Sequence, residues 1–161
     1  MESVYIETTI LSYLVANPAR DIVIAGHQQT TQLWWSTRRA AFDCFISQIV
    51  VDEISAGDPN EVQKRLAIAG TLDALSVTTE AEKLTESIMR AGVLPTKAIR
   101  DAAHIAVATV HDVQYLMTWN CKHLANARIS KRIAVLCKRA GYEMPTICTP
   151  EELLEELTDE Q

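Results

Sequence analysis

Five short strand-like runs alternate with stretches of helical spacing, and this alternation constrains the fold more than any other feature of the chain. The runs are residues 3–6, 42–47, 75–78, 114–118 and 146–149. Between them, apolar residues recur every three or four positions, as in Ala81, Leu84, Ile88 and Ala91. Strands alternating with helices imply right-handed crossovers and a parallel sheet covered on both faces. The fold class expected is therefore α/β in a single domain. Helices are predicted from Thr8 or Thr9 as cap through Leu14, and over residues 28–40, 48–56, from Pro59, 79–91, 97–111, 121–125 and 128–140. Residues 20–26 give no clear pattern. The helix at 97–111 is apolar nearly all round, so it is the most buried one expected. In such sheets ligands bind beyond the C-terminal ends of the strands, where Glu7 and Asn120 fall.

The 161 residues suffice for one domain with one core. No apolar run approaches the roughly 20 residues of a membrane span. Met1-Glu2-Ser3 carries no basic signal-peptide start, so a cytoplasmic protein is expected. Cys44, Cys121, Cys137 and Cys148 form no CxxC pair, which points to reduced thiols and away from zinc. The net charge of -6 is uneven. Residues 150–161 hold six acids and no base, and without them 15 acids face 15 bases. The expected division is a body over 1–149 and an acidic helix or tail over 150–161. Residues 113–142 contain Lys122, Arg128, Lys131, Arg132, Lys138 and Arg139 and no acid. Such a segment is either a phosphate-binding surface or a solvated helix face.

Three acids sit where apolar runs break: Glu7, Glu53 and Asp101. Burying an ionised group costs several kcal/mol, so carboxylates at a core's edge call for partners. A divalent cation shared by them can cut a phosphodiester. Each also has a plainer role. Glu7 and Asp101 can serve helix first turns, and Glu53 the solvated side of a short helix. His104 lies on the face of Asp101 and fits a satisfied core histidine better than a base. Trp34, Trp35 and Trp119 fit packing better than base stacking. The absence of a Gly-rich phosphate loop argues against a P-loop or dinucleotide site.

The ordered set Tyr5-Ile6-Glu7-Thr8-Thr9, Val51-Asp52-Glu53-Ile54-Ser55-Ala56-Gly57, Asp101-Ala102-Ala103-His104-Ile105-Ala106 and Leu116-Met117-Thr118-Trp119-Asn120 resembles the PIN-domain family, and within it the VapC-like toxin ribonucleases. The resemblance spans nearly the whole chain. It implies a Rossmann-like PIN fold and a ribonuclease dependent on Mg2+ or Mn2+. It also implies a homodimer and an antitoxin partner, as in toxin–antitoxin pairs. By it, Glu7, Glu53 and Asp101 are metal ligands, and Asn120 completes the catalytic set by orienting water or a weaker second metal. Lys122, Arg128, Lys131 and Arg132 would contact RNA backbone phosphates. The family usually has Asp where Glu7 stands and a fourth acid where Asn120 stands. Two alternatives follow: a PIN-like module that binds RNA or protein without catalysis, and a small-molecule or regulatory α/β domain using the same sheet edge.

Overall fold

A computed structural model describes residues 1–154. The strands are β1 (Glu2–Ile6), β2 (Phe42–Ser47), β3 (Asp73–Leu75), β4 (Tyr115–Met117) and β5 (Thr146–Cys148). All pairings are parallel, in the order β3-β2-β1-β4-β5. The chain builds outward from β1 through β2 to β3, then crosses to the other side of β1 for β4 and β5. The point of reversal lies between β1 and β4, where such sheets open a crevice at their C-terminal edge. Val4, Tyr5 and Ile6 of the central strand are all buried, as a strand covered on both faces requires.

Seven α-helices connect these strands among the described residues: α1 (Thr8–Val15), α2 (Ile22–Thr37), α3 (Gln48–Ile54), α4 (Pro59–Ala69), α5 (Thr79–Arg90), α6 (Ile99–Val110) and α7 (Ala127–Arg139). Four of these starts have a local cause. Asp21, Asp58, Thr78 and Asn126 accept backbone N–H groups of the first turns of α2, α4, α5 and α7. The α3 segment stops where Gly57 takes φ +106, a conformation side chains disfavour. Helix α6 buries Ala102, His104, Ile105, Ala106, Val107, Ala108 and Thr109, the burial expected of it. Full burial of one side chain such as Ile105 contributes about 1.5–3 kcal/mol.

Four local expectations change. Helix α2 begins at Ile22, inside the stretch without pattern, because Asp21 caps it although Ile22 and Val23 are exposed. It ends at Thr37, and Arg39–Ala41 is a 3-10 turn. Strand β3 lies earlier than predicted: Asp73–Leu75 pairs with Phe45–Ser47, and Thr78 is taken by the cap of α5. Residues 121–125 form turns rather than a helix, since Leu124 and Ala125 both donate to the Asn120 carbonyl and Asn126 starts α7. Pro150–Leu153 is a 3-10 turn held by the Glu152 carboxylate accepting from Thr149 N at 2.7 Å. The rest of the expected acidic helix or tail, residues 155–161, lies outside the described residues.

The four cysteines are free thiols. Trp34 is fully buried, and Trp119 is buried with its indole N–H donated to Thr31 Oγ1 at 2.7 Å. Both pack, as the sequence suggested. Among the described residues no helix is long and apolar enough to cross a membrane.

Candidate active site

Glu7 is the first residue past β1 and the N-cap of α1, a role the sequence assigned to Thr8 or Thr9. It is only 3% exposed. Its Oε1 accepts from Thr9 N at 3.1 Å, Thr9 Oγ1 at 2.5 Å and Thr118 Oγ1 at 2.6 Å. Each threonine oxygen in turn accepts a backbone N–H from the segment after β4. Trp119 N donates to Thr9 Oγ1 and Asn120 N to Thr118 Oγ1, both at 2.9 Å. A hydroxyl has one proton to give, and here both protons go to Glu7. The crevice between β1 and β4 is thus stitched across its mouth by one carboxylate oxygen. The other, Oε2, has no hydrogen-bond partner among the described residues.

Glu53 approaches the same place from α3. Its Oε1 accepts from Thr8 Oγ1 at 2.8 Å and meets His104 Nε2 at 2.5 Å, while its Oε2 is also unpartnered. Burial is the largest influence on this carboxyl and opposes its ionisation. The hydrogen bond from His104, the Thr8 hydroxyl and the more distant Arg100 favour the ionised form, and the group is held below its ordinary value. His104 is fully buried, and its Nδ1 lies 2.7 Å from Tyr5 OH, which lies 2.7 Å from Ser47 Oγ. Burial pushes the Tyr5 phenol far up, so it stays protonated.

A carboxylate oxygen of Glu7, one of Glu53 and a ring nitrogen of His104 lie within 4.8 Å of one another. Among the described residues this is the group placed to hold a metal ion. Two carboxylates this close, one of them buried, repel unless a cation lies between them. Oxygen donors of this kind suit a hard cation that keeps several waters.

Asp101, in the first turn of α6, stands outside that group. Its Oδ2 is 3.0 Å from His123 Nδ1, and its Oδ1 accepts from Asn120 Nδ2 at 3.3 Å. Asn120 Oδ1 accepts from His123 N at 3.1 Å. Asn120 therefore joins Asp101 to the Glu7 side: its backbone N–H holds Thr118, and its amide holds Asp101. The structure thus pairs His123 with Asp101. Lys122 is exposed on the turn after β4, and Arg128, Lys131 and Arg132 are exposed on α7. Among the described residues none of the four is in an ion pair.

Tyr5, Thr8, Thr9, Ser47, Thr118 and His123 escaped the sequence reading as site residues. Thr8, Thr9 and Thr118 sit inside the very motifs that flag Glu7 and Asn120, and that adjacency was the signal available. Ser47 and His123 offered none, because their partners are distant in sequence.

The sequence matches no family model and no curated protein. Solved structures do resemble the fold. One is a chain in the crystal structure of VapBC2 from Rickettsia felis bound to a DNA fragment from their promoter. The TM-score is 0.60 at 15% identity, covering 91% of this chain and 97% of that one. Another is VapC20 from Mycobacterium tuberculosis, described as a Sarcin-Ricin loop cleaving toxin, with TM-score 0.53 at 17% identity. It covers 81% of this chain and 95% of that one. The parallel five-stranded sheet and its strand order thus give this chain the α/β fold of the VapBC2 and VapC20 structures.

Proposed function

We propose that this protein is a divalent-cation-dependent ribonuclease of the VapC toxin type, hydrolysing RNA phosphodiester bonds. The observation that carries this reading is the convergence of Glu7 and Glu53, each with one oxygen tied to the protein and the other free. The two free oxygens would hold Mg2+ or Mn2+. When bound, such an ion supplies an activated water and neutralises charge on the departing oxygen. Asp101, with both oxygens hydrogen-bonded, would act through ordered water at the margin of the site. Asn120 would fix the geometry between Asp101 and Thr118. Lys122, Arg128, Lys131 and Arg132 would bind backbone phosphates, positioning the strand without reading bases. Unpaired RNA or a loop is the substrate form that lets a strand enter such a crevice.

The neighbouring VapBC2 and VapC20 structures support the toxin assignment; a cytoplasmic site of action, an antitoxin partner and a homodimer belong to the same proposal. Cleavage of structured and unstructured RNA with Mg2+ or Mn2+ tests the activity. Glu53→Gln and Asp101→Asn are expected to lower the rate by about 100-fold or more and by less than that, respectively, since metal-borne charge stabilisation is worth several kcal/mol. No cleavage by the wild type, or an unchanged rate in Glu53→Gln, would refute the reading. A second reading, an RNA- or protein-binding module without catalysis, draws on Asn120, whose amide is occupied at a position where the resemblance expects an acid. Intact RNA binding with no Mn2+ binding would favour it.

A further inference from the structure

His104 belongs to the group that could surround a metal ion, yet its hydrogen bonds give it another role. Both ring nitrogens are occupied: Nδ1 by Tyr5 OH at 2.7 Å and Nε2 by Glu53 Oε1 at 2.5 Å. A neutral imidazole has one N–H and one lone pair. The N–H belongs on Nε2, facing the carboxylate, and the lone pair on Nδ1 accepts the Tyr5 proton. Tyr5 then accepts from Ser47 at 2.7 Å. No lone pair remains for a cation.

The far end of this chain is unusual in a telling way. Ser47 is the N-cap residue of α3, the helix that bears Glu53, but its hydroxyl makes no capping bond. A serine there ordinarily accepts from the helix's own N–H groups. This one faces Tyr5 instead. Tyr5, Ser47 and His104 are each fully buried, so the whole chain is dry until it reaches Glu53. The β1 segment therefore serves the site twice: through Glu7, the extended residue just past the strand, and through Tyr5, two residues earlier, by way of His104.

We infer that His104 is a positioning residue, which, with Tyr5 and Ser47 behind it, pins Glu53 by Oε1 so that Oε2 is presented to the cation shared with Glu7. The inference rests on reading Glu53 as a ligand. Outer partners of this kind set metal affinity by holding a ligand's orientation. His104→Gln keeps the pattern, because its amide N–H can reach Glu53 while its carbonyl accepts from Tyr5. His104→Leu abolishes both contacts, and Tyr5→Phe removes only the contact behind the ring.

The test is calorimetric titration of the full chain with Mn2+, alongside cleavage kinetics and thermal melting. His104→Leu is expected to weaken Mn2+ binding by about 10- to 100-fold. Tyr5→Phe should weaken it less, and His104→Gln should stay within a few-fold of the wild type. The RNA KM at saturating Mn2+ should move little in all three. Should His104→Leu fail to fold, Tyr5→Phe carries the test, since it removes one oxygen and keeps the ring. Wild-type Mn2+ affinity in a folded His104→Leu, or in Tyr5→Phe when that is the only variant that folds, would overturn the inference, provided Glu53→Gln has lost binding. Equal damage from His104→Gln and His104→Leu would make the ring itself a ligand and overturn it too. If the wild type and Glu53→Gln alike bind no Mn2+, the ligand reading itself falls, and this inference with it.

Discussion

At the scale of single residues, Glu7 and Glu53 share one design: the protein's donors fall on Oε1 and leave Oε2 free. Thr118 is the residue that makes this expensive to disturb. Its hydroxyl donates to Glu7 and accepts from Asn120 N in a fully buried position. Thr118→Val strands both partners, so it is expected to destabilise the fold by about 1–3 kcal/mol. Urea denaturation measures this, and an unchanged midpoint would refute the assigned bonds. Glu53 gives a pH dependence. Its folded carboxyl lies below the ordinary 4.5, so the stability it contributes is complete above that pH and is lost as pH falls through the folded value. Glu53→Gln should flatten that part of the acid limb in a series of melts from pH 6 downward (~4 points suffice to see the slope). A wild-type slope in the variant would contradict the depressed carboxyl.

At the scale of elements, helix starts separate structure from chemistry. Asp21 caps α2 through Val23 N and Ile24 N, both at 3.0 Å, and these are its side-chain hydrogen bonds among the described residues. Asp21→Ala should lower stability by about 0.5–2 kcal/mol while leaving RNA cleavage unchanged. Loss of activity at equal stability would tie α2 to the site. Helix α7 turns Ile133 and Cys137 inward and Arg128, Lys131 and Arg132 outward. If these meet phosphates, Lys131→Ala should reduce the slope of log affinity against log salt by about 0.7 on single-stranded RNA. An unchanged slope would return α7 to being a solvated face. The elements themselves were mostly legible. Strand β2 and helices α4 and α5 fall where the hydrophobic spacing put them, because each has a cap or breaker within its own few residues. Strand β3 and the start of α2 were misplaced for the complementary reason. Register against β2 fixed the one, and a single capping aspartate outweighed an uninformative apolar run in the other.

For the molecule as a whole, the site depends on the sheet holding its order. Ile105 is fully buried in α6, one position from His104 and four from Asp101. Ile105→Ala is expected to cost about 2–5 kcal/mol, and a smaller drop in the melting midpoint than that implies would place the core elsewhere. Crossing from β3 to β4 brings Glu7, Thr118 and Asn120 to one crevice, though more than 110 residues separate the first from the last. Periodicity and capping are local, so the sequence by itself determined the α/β alternation, the burial of α6 and the identity of the acids at the strand ends. Tertiary structure alone decided which of those acids meet. It paired Glu7 with Glu53 and His104, and turned Asp101 toward Asn120 and His123, because the direction of a side chain follows from strand order and from hydrogen-bond partners that no local window contains.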